Sequence, residues 1–166
     1  MRFLRSFPAI LTLAVLAACD LSTAPDVPDP IDPANDSYAT SLGVDIATMT
    51  KLSTGVYIKD KVVGTGNPAA TNDSVQVHYT GWTPNGFQFD TSKLPSRKPL
   101  EFVIGRNIYI TAFETAVVGM KPGGTRQIII PTGLAYGPAG NPDAGIPPNT
   151  NLIFQIEYIA RLSGAN

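Results

Sequence analysis

Residues 77–92 read VHYTGWTPNGFQFDTS, and this stretch decides the predicted fold. Apolar and polar side chains alternate along its first half, which is the period of a half-buried strand. The Pro-Asn-Gly at 84–86 supplies a turn, because proline fixes its own φ and Asn-Gly tolerates the positive φ of a tight reversal. The second half alternates again and includes a carboxylate. Such a hairpin brings Tyr79 close to Phe89 and Asp90, so the stretch predicts a binding site.

Further strands and one helix are predicted around this hairpin. Hydrophobic patterns bounded by glycine and proline predict strands near 55–64, 100–105, 125–131 and 151–162. Thr111 and Glu114 have the spacing of a capping box, which predicts a helix of about two turns from Thr111 to Val118, ended by Gly119. Strands that flank a single short helix are typical of an α+β domain, here a half-wrapped antiparallel β-sheet around one short α-helix.

The composition indicates one globular domain with accessory segments. Of the 166 residues, 43% are hydrophobic and 15% are charged, so the chain can bury a core. Fifteen glycines and fifteen prolines favour turns and short strands over long helices. Because Cys19 is the single cysteine, no intrachain disulfide and no thiolate metal cluster can form. Lysine and arginine form no run that would indicate nucleic-acid binding, and we expect neither a metal nor a cofactor.

The first residues have the form of a bacterial lipoprotein signal peptide. Arg2 and Arg5 precede an apolar stretch at 7–18 that is too short to span a bilayer as a permanent helix. Leu-Ala-Ala-Cys at 16–19 resembles a lipobox, which predicts that residues 1–18 are removed and that Cys19 is acylated. The alternative is an ordinary signal peptide with an incidental cysteine. We expect a lipid-anchored protein of the bacterial cell envelope, with its domain facing the periplasm or the exterior.

Residues 19–49 are predicted to be a disordered tether that begins at the lipidated cysteine. The segment is rich in aspartate and proline, and its few apolar residues cannot repay the entropy of ordering. We therefore expect it to add neither chemistry nor stability to the folded domain, which is assigned to residues 50–163.

Six motifs in this domain resemble the FKBP family of peptidyl-prolyl cis-trans isomerases. They follow the family's order and are VHYTG at 77–81, FQFDTS at 87–92, PLEFVIG at 99–105, FETAVVGMKPGG at 113–124, LAYG at 134–137 and IPPNTNLIFQIE at 146–157. The resemblance implies a monomeric enzyme that rotates X–Pro bonds of unfolded or partly folded polypeptides, without covalent catalysis. It also implies that macrolide inhibitors bind the same cleft.

The resemblance assigns a role to each residue of this cleft. Phe89 and Phe154 would be walls around the prolyl ring and Phe113 its floor, while the Ile110 N–H and the Tyr136 hydroxyl would donate to substrate carbonyls. The implied catalytic residues are Tyr79, Phe89, Asp90, Ile110, Phe113, Tyr136 and Phe154, and the implied substrate-binding residues are Arg97, Leu100, Tyr109 and Ile146. In this scheme Ile146 is a rim contact, and Asp90 is a lone acid oriented by Tyr79.

The sequence departs from the family's pattern at four of these positions. Phe113 replaces a usual tryptophan, Leu100 a frequent aromatic residue and Tyr109 a small β-branched one, and Arg97 is displaced by one residue. The alternative to an isomerase is therefore a binding module, a holdase or adaptor, that docks proline-containing segments in the same cleft with little turnover. The absence of a large inserted flap between 85–90 and 99–105 favours the enzyme.

Overall fold

The structure is a computed structural model and describes residues 27–162. Seven strands and one helix form its framework: β1 (Thr50–Lys51), β2 (Tyr57–Val62), β3 (Ser74–Trp82), β4 (Gln88–Thr91), β5 (Leu100–Val103), α1 (Thr111–Ala116), β6 (Thr125–Ile130) and β7 (Leu152–Arg161). The strands form one antiparallel sheet in the order β1-β2-β6-β7-β3-β4, and β5 pairs with the first half of β3. Among the described residues, no helix has the length and apolar character needed to cross a membrane.

One face of the sheet packs on α1 and is called here the helix face. Phe113 and Ala116 of the helix are buried in a cluster with strand side chains that have no exposed surface. These strand residues are Val75, Val77, Ile128, Ile130, Leu152 and Ile156. A sheet that buries an alternate set of side chains under a helix is the predicted α+β fold, which the structure confirms.

The predicted capping box is wrong. α1 begins after Ile110 and has no side-chain cap, and it ends at Ala116, earlier than predicted. Glu114 is fully buried, and its carboxylate does not reach back to the helix start. It accepts hydrogen bonds of 2.9–3.1 Å from three backbone N–H groups of the preceding loop, those of Gly105, Asn107 and Tyr109. A buried carboxylate needs several donors, and this loop supplies three where the predicted capping box would supply one.

Residues 27–49 lie against the opposite face of the sheet and form what is called here the N-terminal strap. Tyr57, Ile129 and Ile153 are buried on this strap face. The strap covers them with Tyr38, Leu42, Val44, Ile46 and Met49, and the Gln127 side-chain amide donates to the Leu42 carbonyl at 2.8 Å. The predicted disorder is therefore wrong for residues 27–49, because the sheet offers an apolar surface that the strap can bury. The predicted signal peptide, Cys19 and the tether before Val27 lie outside the described residues.

Candidate functional site

A cleft opens on the helix face beside the β3–β4 hairpin, where Gly81 pairs with Asp90. The rings of Phe89 and Phe154 meet edge to face there, with centroids 5.5 Å apart at 90°. A Cβ atom at position 81 would lie 2.6 Å from the Phe89 ring and 2.7 Å from the Phe154 ring. Only glycine leaves room for both rings, so Gly81 determines the position of these two walls.

Phe113 of α1 forms the floor of the cleft and is 4% exposed. Its ring centroid lies 5.2 Å from that of Phe154 and 5.6 Å from that of Tyr79. The cleft has a volume of about 340 Å³. Its lining is mostly aromatic and aliphatic: Tyr79, Phe89, Asp90, Leu100, Ile108, Tyr109, Ile110, Phe113, Tyr136 and Phe154.

Asp90 is the carboxylate of this lining, and its oxygens are held by three donors. The Tyr79 hydroxyl donates to it at 2.5 Å, the Thr91 N–H donates at 2.8 Å, and Arg97 forms an ion pair with it. Partial burial alone would raise the pKa of Asp90, but the hydrogen bonds from Tyr79, Arg97 and Thr91 outweigh burial and lower it. Burial and the bond to Asp90 raise the pKa of Tyr79. At neutral pH the cleft therefore holds a fixed carboxylate and a neutral phenol.

Two hydrogen-bond donors in the lining are available to a ligand. The Ile110 N–H, at the start of α1, and the Tyr136 hydroxyl have no acceptor within the described part of the chain. A helix start leaves such N–H groups without an intrahelical partner. Across residues 27–162, no group of three or more His, Cys, Asp or Glu side chains is placed to hold a metal ion. The arrangement can enclose an apolar ring and donate to carbonyl oxygens beside it.

Comparison with known proteins identifies the chain's family. Residues 66–159 match the family model of the FKBP-type peptidyl-prolyl cis-trans isomerase. The chain belongs to this family. It is 40% identical over 107 residues to an FK506-binding protein of Neisseria meningitidis serogroup B, in a match that covers 63% of this chain and 94% of the relative.

Two further matches show how far the FKBP-type similarity extends. FK506-binding protein 4 of Gibberella zeae is 41% identical over 113 residues, in a match that covers 68% of this chain but 22% of that protein. The chain therefore spans about a fifth of this fungal relative. A crystal structure of a peptidyl-prolyl cis-trans isomerase from Pseudomonas syringae pv. tomato superimposes with a TM-score of 0.59 at 32% identity, covering 69% of this chain and 80% of the other.

The FKBP-type cleft contains nine of the residues assigned by resemblance, and two lie elsewhere. Arg97 is outside the lining, but it forms an ion pair with Asp90 although it is displaced by one residue from the family's spacing. Ile146 is 2% exposed and belongs to the core, so its prediction as a rim contact is wrong. Its backbone forms an isolated antiparallel bridge with that of Asn141.

Three functional residues were missed by the sequence analysis. Ile108 is 69% exposed and lines the cleft, and the available sequence signal was an apolar residue directly after the turn residues Gly-Arg-Asn at 105–107. Gly81 ends an alternating strand, where a glycine often marks a close approach of other atoms. Glu114 fixes the loop that carries Ile108, Tyr109 and Ile110. Its role was missed because its spacing from Thr111 is that of a capping box, which led to the wrong prediction.

Proposed function

We propose that this chain catalyses rotation about X–Pro peptide bonds of proline-containing, incompletely folded polypeptides. The proposal is carried by one observation, an aromatic cleft of about 340 Å³ that has one fixed carboxylate and two donors without an acceptor among residues 27–162. Family membership supports it. FK506-type macrolides, for which the relatives are named, are proposed to occupy the same cleft.

The chemistry follows from what limits the uncatalysed reaction. Resonance gives the peptide C–N bond partial double-bond character and a rotation barrier of ~18–20 kcal/mol. An apolar cleft disfavours the charge-separated resonance form, which weakens the double-bond character of a bound amide. The prolyl ring would lie on Phe113, with Phe89 and Phe154 as walls beside it and the Ile110 N–H and the Tyr136 hydroxyl donating to the flanking carbonyls. No bond to the protein forms or breaks in this scheme.

We also propose that the protein is anchored to the bacterial cell envelope through acylated Cys19, facing the periplasm or the exterior as a monomer. The lipobox-like sequence at 16–19 supports the anchor. Seven residues separate Cys19 from Val27, and at up to about 3.6 Å per step this chain spans roughly 29 Å at most. The strap joins the domain beside Asn149, whose side chain donates to the Pro28 carbonyl at 2.5 Å. An anchored domain would thus work close to the membrane surface.

Turnover is tested with a protease-coupled cis/trans assay on a Leu-Pro or Phe-Pro peptide. We expect catalysis that FK506 inhibits. Tyr136→Phe removes one donor while keeping the ring, so kcat/KM should fall by about twofold to tenfold, as expected for one hydrogen bond. Peptide binding without turnover in the wild-type chain would contradict the proposal and favour the binding module.

The anchor is tested separately by metabolic labelling with a fatty-acid analogue. Wild-type protein should be labelled and sediment with membranes, whereas Cys19→Ser should be unlabelled. Equal labelling of the two proteins would show that Cys19 is not the acylated residue.

A further inference from the structure

The middle of the N-terminal strap contacts the turn between β3 and β4. The Ala39 N–H donates to the Pro84 carbonyl at 2.8 Å. A Cβ at Gly86 would lie 3.2 Å from the Ala39 methyl group, so this turn packs directly on the strap. β4 follows the turn and carries the cleft residues Phe89 and Asp90. The strap therefore holds the segment that leads into one side of the cleft.

The first residues of the strap contact a different cleft segment, the loop that follows Tyr136. Asn149 donates from its side chain to the Pro28 carbonyl and from its backbone to the Gly137 carbonyl, the latter at 2.9 Å. Asn151 is 1% exposed. Its Nδ2 donates to the Ile31 carbonyl at 3.0 Å and to the Asp36 carboxylate at 2.8 Å, and its Oδ1 accepts from the Thr132 N–H at 3.0 Å. Every polar atom of this buried amide is used, which fixes its orientation.

The turn and the loop also meet each other. A Cβ at Gly145 of the loop would lie 3.0 Å from the ring of Phe87, which follows the turn. The strap thus contacts two segments that touch, one leading to Phe89 and Asp90 and the other following Tyr136. The distance between these groups depends on how the two segments are held together, because they come from separate parts of the chain.

We propose that residues 28–39 of the strap are a positioning element for the cleft, which hold Phe89 and Asp90 at a fixed separation from Tyr136. This rests on the proposed isomerase function. The strap lies outside residues 66–159, which match the family model, so it is an addition to the matched domain. Strap residues touch no substrate in this scheme and act through the turn and the loop.

Asn151→Asp tests the proposal with almost no change of shape. The carboxylate still accepts from the Thr132 N–H, but its other oxygen faces the Ile31 carbonyl and the Asp36 carboxylate in place of a donor. Repulsion between the new carboxylate and these two acceptors should release the part of the strap that contains Ile31 and Asp36. We expect kcat/KM and FK506 affinity to fall by about fivefold to tenfold well below the melting temperature. Backbone amides of β4 should exchange hydrogen faster.

Two further variants complete the design. Asn151→Asp with Asp36→Asn reverses the donor and acceptor of this pair but leaves the Ile31 carbonyl without its donor. It should restore part of the lost activity and protection, which a general loss of stability would not show. Asn67→Asp adds the same charge at an exposed site away from the strap, and it should leave kcat/KM and the hydrogen exchange of β4 unchanged. If Asn151→Asp does not fold, Asn149→Gly removes the donor to Pro28 at a residue whose φ of 50° glycine tolerates.

The outcomes separate this proposal from the proposed function. If the wild-type chain shows no turnover, the proposed isomerase activity is refuted. FK506 affinity and hydrogen exchange of the β4 amides would then still test whether the strap positions the cleft. The positioning role is refuted if the strap is released, as shown by protease cleavage within residues 28–39, while affinity, kcat/KM and exchange in β4 stay within twofold of wild type.

Discussion

Both faces of the sheet bury apolar side chains, but different parts of the chain cover them. The helix face is covered by α1 from within the matched family domain, and it leaves a cleft open beside Phe113. The strap face is covered by residues 27–49, which precede that domain, over the buried side chains of Tyr57, Ile129 and Ile153. Burial alone therefore does not mark function. The helix face differs because its cleft combines aromatic rings, a fixed carboxylate and two donors that have no acceptor in the described part of the chain.

The largest expected effect compares neighbouring isoleucines of β6. Ile128 faces the helix cluster and Ile129 the strap cluster, and neither has exposed surface. Replacing either one with alanine leaves a cavity, so the free energy of unfolding should fall by about 2–5 kcal/mol in both variants, as measured by urea unfolding. A loss for Ile129→Ala of less than about 0.5 kcal/mol, the size typical of surface sites, would contradict a packed strap.

A second prediction concerns the close approach at Gly81. Gly81→Ala places a methyl group against the Phe89 and Phe154 rings, so the free energy of unfolding should fall by about 1–3 kcal/mol and kcat/KM by at least about tenfold. Gly133 is the matched control, because a Cβ there meets no atom within 4 Å. Gly133→Ala should change neither quantity measurably. Unchanged activity in Gly81→Ala would show that the two walls are not needed at this spacing.

A third prediction exchanges ring size on the two faces. Phe113→Trp enlarges the cleft floor, and the added apolar contact should raise kcat/KM and tighten FK506 binding by ~1–2 kcal/mol. Trp82 packs with the strap-face cluster, and Trp82→Phe should leave kcat/KM close to wild type. If Phe113→Trp loses stability, Leu100 and Tyr109 leave too little room for the indole. Lower activity in a fully folded variant would indicate a cleft shaped for a different ligand.

The smallest effects come from pH, and Asp90 beside the cleft and Tyr38 in the strap should contribute with opposite signs. The pKa of Asp90 is lower in the folded protein than in the unfolded chain. Its contribution to the free energy of unfolding is therefore present above about pH 3.9 and is lost as the pH falls through the pKa of the folded state. Burial raises the pKa of Tyr38 in the strap. Its contribution to the free energy of unfolding is therefore present below about pH 10 and is lost as the pH rises through the pKa of the folded state. Urea midpoints should show a weaker acid dependence in Asp90→Asn and a weaker alkaline dependence in Tyr38→Phe. An unchanged alkaline dependence in Tyr38→Phe would argue against a strap tyrosine that is partly buried on the sheet.

Much of the helix face could be predicted, because its signals are local. The hairpin around 84–86 follows from alternation and turn chemistry, and most cleft residues follow from the resemblance of the ordered motifs to the FKBP family. The strap could not be recognised from its own composition, since aspartate and proline predict only that it does not fold alone. A signal for a cover over the second face was present in the sequence of β6. Ile128, Ile129 and Ile130 run without a polar residue, which indicates a strand buried on both faces and hence a second cover.

By itself the sequence determined the antiparallel sheet, its single helix and the aromatic character of the cleft, because these depend on side-chain periodicity and on residue types at fixed spacing. Tertiary structure alone decided the partners of Glu114, the burial of Ile146 and the docking of residues 27–49. Each of these outcomes depends on which polar or apolar surface a distant segment presents, as when Asn151 binds Ile31 and Asp36 across more than a hundred residues. No pattern within one segment contains that information.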